Sequence, residues 1–458
     1  MKRTLLGNRV FYRDILRLGV PIAVQNLLQS SLTMIDTIMI GQLGEVPLAA
    51  VGMAGQWSFL MFLFYFGFSS GGSVFFSQYW GSGNIQGIRR IYGLALVNML
   101  LVGVVFTLTG YFAPRWVMAL FTGETPVQEA GMAYLKIAVF AYIAQAIGTI
   151  ASTLLRSTEE VRLPLLASLA SVVSNTFLNW VMIFGKFGFP AMGVEGAALA
   201  TAISAWINTG ILLIVSWVRR NMASIPLREL FSFHWQTVRK FYPIAIPVVL
   251  NESLWAMGTM VLNMVYGRMG TGNYSALTIE RTVENLIFVF FVGISSACTV
   301  MVGKRIGAGD IEEGKLDARR FGAVVPCLAV LLGLVLILVR GPLVNLFSLT
   351  PEVRGTAQTL LVIAGCIYPL RMFNYITVVG IFRAGGDTRT GMFYDLGCIW
   401  LISVPLVALT GLVLHWDFMV VFGLMYAEDL VKCVLSQRHL YSGRWIRPVT
   451  EGPAVKEG

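Results

Sequence analysis

Asp36 stands in the phrase Leu32-Thr33-Met34-Ile35-Asp36-Thr37-Ile38-Met39-Ile40-Gly41, near the end of an apolar run from Ile22 to Ile40. That run is long enough to cross a hydrocarbon core of roughly 30 Å as a helix. A carboxylate inside such a helix costs about 2.5–3.5 kcal/mol on insertion scales. A proton, a bound cation or a basic partner has to offset that cost. Two further apolar runs carry polar groups at helical spacing. Asn175 and Asn179 are i and i+4, so their amides share a face; Ala197 and Thr201 stand in the same relation on the next run. A carboxylate, two amide oxygens and a hydroxyl form a set of hard oxygens, the ligand type that hard cations prefer. The same spacing serves hydrogen bonds that bridge helices. Spacing alone leaves both uses open.

The second half carries its own intramembrane charges. Glu252 is followed on a similar face by Trp255, and Glu280, Arg281 and Glu284 lie close together on one run. Arg371 lies on another. Glu252, Trp255, Glu280, Glu284 and Arg371 are candidates for substrate contact. Arg281 and Arg371 are equally suited to neutralising the acids. Stretches such as Met53-Ala54-Gly55-Gln56-Trp57 and Trp255-Ala256-Met257 offer faces on which a flat cation could stack, although such residues more often meet lipid or core. Lys136 has a stem long enough to line a cavity or to snorkel to an interface.

The elements that must position these residues follow from composition. The 458 residues are 56% hydrophobic and 13% charged, with a mean hydropathy of +0.72. Soluble domains carry about 25% charged residues, so the chain is expected to be an integral membrane protein. Apolar runs of spanning length fall near residues 14–40, 48–78, 91–118, 130–153, 164–185 and 193–218. After a basic connector they resume near 240–267, 274–302, 321–340, 357–382, 390–411 and 416–436. The expectation is all-α, twelve transmembrane helices in two six-helix lobes: residues 1–225, residues 226–440, and a cytoplasmic tail at 441–458. The charged start, Met1-Lys2-Arg3 leading into Arg13, Asp14 and Arg17, shows no small-residue cleavage site, so the first helix is expected to stay in the membrane.

A net charge of +10 invites a nucleic-acid reading, but its placement excludes one. The odd-numbered connections hold only Arg115, Lys186, Arg268, Arg340 and Arg354. Most other Lys and Arg gather at the N-terminus, in the even-numbered connections and in the tail, from Lys2 and Arg3 to Lys456. By the positive-inside rule both termini are cytoplasmic, which requires an even number of helices. The halves also repeat. Pro21, Gly41, Gly44, Gly81 and Gly83 recur at one constant offset as Pro247, Gly267, Gly270, Gly307 and Gly309. Arg156-x-x-x-Glu160-x-Arg162 is matched by Arg383-x-x-x-Asp387-x-Arg389. Each half holds six helices, so the two are parallel repeats about an axis along the membrane normal, as in one class of transporters.

Two motifs imitate other chemistry. Gly309-x-x-x-x-Gly314-Lys315 has the spacing of a phosphate loop, but Leu316 stands where a magnesium-binding hydroxyl belongs and no strand precedes it. Gly307-x-Gly309-Asp310 with Tyr394-Asp395 imitates presenilin-type intramembrane aspartyl proteases in reversed order. The cysteines, Cys298, Cys327, Cys366, Cys398 and Cys433, suit neither a disulfide framework nor zinc. His234, His415 and His439 are too dispersed for a metal site.

Met34-Ile35-Asp36-Thr37-Ile38-Met39-Ile40-Gly41 resembles the first helix of the multidrug and toxic compound extrusion (MATE) family. Gly307-Ala308-Gly309-Asp310, Phe382-Arg383-Ala384-Gly385-Gly386-Asp387-Thr388, and Asn175-x-x-x-Asn179 followed by Phe184-Gly185 are similar to that family's phrases too. The resemblance covers nearly the whole chain. It implies an antiporter of the cytoplasmic membrane, not an enzyme, exporting small organic cations against influx of sodium or protons. It implies that Asp36, Asn175, Asn179 and Thr201 form the cation site, sodium included, with Ala197 lining it. No cofactor is expected beyond that ion, no nucleic-acid partner, and a monomer in the bilayer. Some members carry Asp at the position of Asn179. Others pair a seventh-helix Glu, matched by Glu252, with a tenth-helix Asp that Leu370-Arg371-Met372-Phe373-Asn374 does not supply. A lipid-linked oligosaccharide flippase of the wider superfamily is the rival transporter reading, resting on Arg281, Arg371 and Lys136.

Overall fold

The computed structural model describes residues 7–345, 347 and 349–450. Lys2, Arg3 and Lys456, which entered the charge asymmetry, lie outside them. The described residues are mostly helical, with no strand among them and one isolated backbone bridge between Gly386 and Ile446. In chain order the spans are α1 (Arg9–Gly41), α2 (Glu45–Ser82), α3 (Ile85–Phe112), α4 (Thr125–Ala138 and Phe140–Ser157, bent by 49°), α5 (Arg162–Phe184) and α6 (Gly193–Arg219). They continue as α7 (Trp235–Arg268), α8 (Thr271–Gly307), α9 (Ile311–Val344), α10 (Pro351–Gly385), α11 (Thr388–Val413) and α12 (Phe418–Met425 and Ala427–Ser442). Among the described residues nine helices are long and apolar enough to cross a membrane alone, and the bent α4 makes ten. α1 and α12 fall outside that group, the two pieces of α12 being only 8 and 16 residues long.

Helix ends depart from the hydropathy runs for local reasons. α3 begins six residues before its run, where the Asn84 side chain accepts a hydrogen bond from the Gly87 N–H and a polar first turn follows. It stops at Phe112, since Pro114 has no N–H to donate and disfavours helical backbone at Ala113. α9 likewise starts earlier than its run, its first turn carrying Glu312 and Glu313 where acids complement the helix dipole. α10 and α11 contain π-helical stretches, Ile376–Phe382 directly before Arg383, and Ile399–Ser403 and Leu409–Val413. Such wider turns inside helices are commonest at functional positions.

The chain divides into two compact units. One comprises Val24–Phe76 and Asn84–Ala245, the other Met1–Ala23, Ser77–Gly83 and Ile246–Gly458. α1 therefore contributes to both, its start to the second and its remainder, with Asp36, to the first. In the first unit Ile40, Ile183 and Ala197 form a small buried cluster that joins α1, α5 and α6. In the second, Phe11 of α1 packs edge-on against Phe321 at 5.0 Å between ring centroids, within a core that includes Phe291, Met372 and Trp445.

A candidate cation site on three helices

α5 and α6 approach closely because Gly196 permits it: a Cβ there would meet the Met182 carbonyl at 2.7 Å. Gly185, at φ +66°, ends α5 in the left-handed conformation that glycine adopts at no steric cost. This hairpin and the later part of α1 set the site. The Asn179 amide nitrogen donates to Asp36 Oδ1 at 2.5 Å and to Asn175 Oδ1 at 2.8 Å. The Asn175 amide donates to Ser204 Oγ at 3.3 Å, and Ser204 donates to the Thr201 carbonyl at 3.0 Å. Both asparagines are fully buried, Asp36 is half-buried, and Asn179 Oδ1 has no hydrogen-bond partner among the described residues.

Asp36, Asn175 and Asn179 thus meet directly, and Ala197 and Thr201 flank them on α6. The sequence reading missed two participants. Ser204 lies one turn beyond Thr201, and its hydroxyl closes the asparagine chain. Tyr134 of α4 stands beside the Thr201 side chain and within electrostatic reach of Asp36. Ser204 was findable, being on the face already occupied by Ala197 and Thr201; Tyr134 carries no spacing signal at all. Chemically, the arrangement offers one carboxylate, one buried amide oxygen without a donor, and two hydroxyls nearby. An orphaned buried oxygen beside a carboxylate fits a cation or a proton.

In the other unit the acids sort differently. Glu252 is paired with Arg383 at 2.5 Å, the arginine being 4% exposed, so the basic partner comes from the end of α10 and not from Arg281 or Arg371. Asp395 is held by Lys432 at 2.6 Å and by the Asn251 amide at 3.1 Å. Trp255 is exposed. Arg371 pairs with Glu284, and Glu280 is buried. Lys136 is exposed. The two imitations also find their places. Lys315 is paired with Glu312 at 2.7 Å in the first turn of α9, and Asp310 lies exposed 3.8 Å from Arg305.

Helices of spanning length, with polar groups buried between them, define a polytopic membrane protein. A family model described as MatE matches residues 21–181 and again 247–409, the same two halves that the recurring prolines and glycines mark. A probable multidrug resistance protein NorM of Thermotoga maritima is 25% identical over 448 residues, covering 97% of this chain and 96% of its own length. A protein of that name from Rhizobium meliloti is 28% identical over 444 residues, covering 89% and 93%. The uncharacterized transporter YisQ of Bacillus subtilis is 23% identical, covering 93% of each. A crystal structure of MATE in complex with MaL6 superposes with a TM-score of 0.83 at 18% identity, covering 96% and 98%. The chain belongs to the MATE family: it is a multi-pass membrane transporter and not an enzyme.

Proposed function

We propose that the chain is a secondary antiporter that exports small organic cations from the cytoplasm in exchange for sodium or protons, with both termini cytoplasmic. The carrying observation is the contact of Asp36 with Asn179, whose own oxygen is buried and free to accept. Asp36, Asn179, Asn175 and the Thr201 hydroxyl would hold the coupling ion, Ala197 keeping the wall small. The ion supplies positive charge that cancels the carboxylate, and a cationic substrate competes for the same negative charge. Binding one and releasing the other is then the minimal exchange. The name of the relatives, multidrug resistance protein, fits cargo defined by charge more than by shape. Of the three basic residues that the flippase reading rests on, Arg281, Arg371 and Lys136, Arg371 is paired with Glu284, which favours the antiporter reading.

The test is transport of ethidium in proteoliposomes with the sodium and proton gradients imposed separately. Acceleration by one of them, lost in Asp36→Asn, is the expected result. Indifference of the wild-type protein to both gradients would overturn the reading.

A further inference from the structure

The offset that relates Pro21 to Pro247 also relates Gln25 to Asn251 and Asn26 to Glu252. The offset that relates Arg156 to Arg383, one residue longer, also relates Ser168 to Asp395. Both registers hold in three dimensions. In the first unit the Gln25 amide donates to Ser168 Oγ at 3.0 Å, and in the second the Asn251 amide donates to Asp395 Oδ2 at 3.1 Å. The same side-chain contact is thus made twice, once between α1 and α5 and once between α7 and α11.

The next residue along each of these helices breaks the match. Glu252 meets Arg383 at 2.5 Å. In the same register Asn26 of α1 and Arg156 of α4 hold the corresponding places in the first unit, so an amide stands where the second unit has a carboxylate. Arg156 hydrogen-bonds the Thr153 hydroxyl at 3.2 Å and makes no ion pair among the described residues. It is half-buried, while Leu154, Leu155, Ser157 and Thr158 around it are no more than 7% exposed. The Asn26 amide nitrogen is buried and has no acceptor among the described residues. A guanidinium offers five N–H donors in a planar fork, and Thr153 takes one of them. Native proteins rarely leave buried donors unsatisfied, and these two groups belong where the repeat elsewhere puts a carboxylate.

We infer that Arg156 and Asn26 form an anion-binding site in the first unit, which takes a carboxylate or phosphate group where the second half supplies Glu252 from its own chain. The Arg156 fork matches two oxygens of either group, and the Asn26 amide donates to one of them. The site carries a single positive charge, so a singly charged group balances it: a carboxylate, a dihydrogen phosphate or the phosphodiester of a lipid headgroup. Asn26 lies ten residues before Asp36, about 15 Å along the axis of α1. The anion site is therefore separate from the cation site, and it stands whether or not the exchange reading does.

The experiment follows the thermal midpoint of the whole protein in a neutral detergent at fixed ionic strength. One series titrates sodium phosphate or sodium acetate against sodium chloride, and a parallel series titrates phosphatidylglycerol against phosphatidylcholine. A saturable rise of several degrees is expected, as for any ligand that binds only the folded state. A rise with phosphate or acetate identifies a soluble anion, and a rise with phosphatidylglycerol alone identifies a lipid headgroup. Arg156→Gln should lose the rise. Asn26→Glu, which rebuilds the ion pair of the second half, should melt high without added anion and gain nothing from one. No rise in the wild type, or a rise of wild-type size in either variant, would overturn the inference. So would failure of Asn26→Glu to fold, since a carboxylate beside Arg156 should be accepted there. Should Arg156→Gln alone fail to fold, the response of Asn26→Glu decides.

Discussion

Asn179 gives its amide nitrogen to Asp36 at 2.5 Å and to Asn175 at 2.8 Å, which leaves its own buried oxygen with no donor among the described residues. The asparagine is thus oriented by its acidic neighbour.

Asp36→Asn removes the only formal charge at this site and keeps the side-chain volume. Export coupled to an ion gradient should be abolished, while expression and the size-exclusion profile in detergent stay as in the wild type. Wild-type export by a mutant present at normal levels would take Asp36 out of the mechanism.

Asn179→Ala deletes both the amide donor and the free oxygen. A hydrogen bond to a charged group is worth about 1.5–3 kcal/mol, so the half-saturating concentration of the coupling ion should rise roughly ten- to a hundred-fold. Asn179→Asp should instead shift dependence toward protons, because a second nearby carboxylate disfavours double ionisation. Ion and pH profiles that match the wild type in both variants would make the α5 amides purely structural.

Much of this site was legible because a helix imposes a spacing. Asp36 is conspicuous in an apolar run, and Asn175 and Asn179 betray a shared face by their separation. Tyr134 left no such trace, since a tyrosine on a membrane helix is ordinary until its hydroxyl is seen against Thr201. The ion pairs of the second half were hidden for another reason. Arg383 reads as part of a basic loop after α10, yet the end of that helix carries it inward to Glu252, 131 residues away in sequence. Sequence charge patterns report which side of the membrane a loop occupies, and they are silent on partners brought together only by packing. The twelve spans were readable from hydropathy, but the polar first turns of α3 and α9 were not.

Glu252 and Arg383 form an ion pair within the second unit. The side chains are 20% and 4% exposed, at 2.5 Å. Removing one partner of a buried pair typically costs about 3–5 kcal/mol, because the other charge is left uncompensated. Glu252→Gln should therefore lower the thermal midpoint clearly, and the double variant with Arg383→Gln should recover much of the loss. A fluorescence-detected melting series on the four proteins checks this. If the single variant melts with the wild type, the pair is not structural and Glu252 returns as a substrate contact.

Asp387 lies outside the spanning segments, between α10 and α11, and is fully buried. Burial pushes its carboxyl upward, but hydrogen bonds from His439 at 2.8 Å and from Thr390, with the nearby Arg447, outweigh it and hold the group below the usual carboxylate range. Arg447 Nη1 stands 3.0 Å from Oδ1, and the same tail segment buries Trp445 and bonds Val449 to Gln78. A carboxylate depressed in the folded state contributes stability that is fully present above its unfolded value, near pH 4, and is lost as pH falls through the lower folded value. Asp387→Asn should accordingly melt below the wild type at neutral pH, and the two curves should converge as the medium is acidified below about pH 4. Melting curves of both proteins from pH 7 downward in one detergent measure the gap. A gap that stays constant across that range would show that the Asp387 charge contributes nothing, and that only its shape holds the tail against α10.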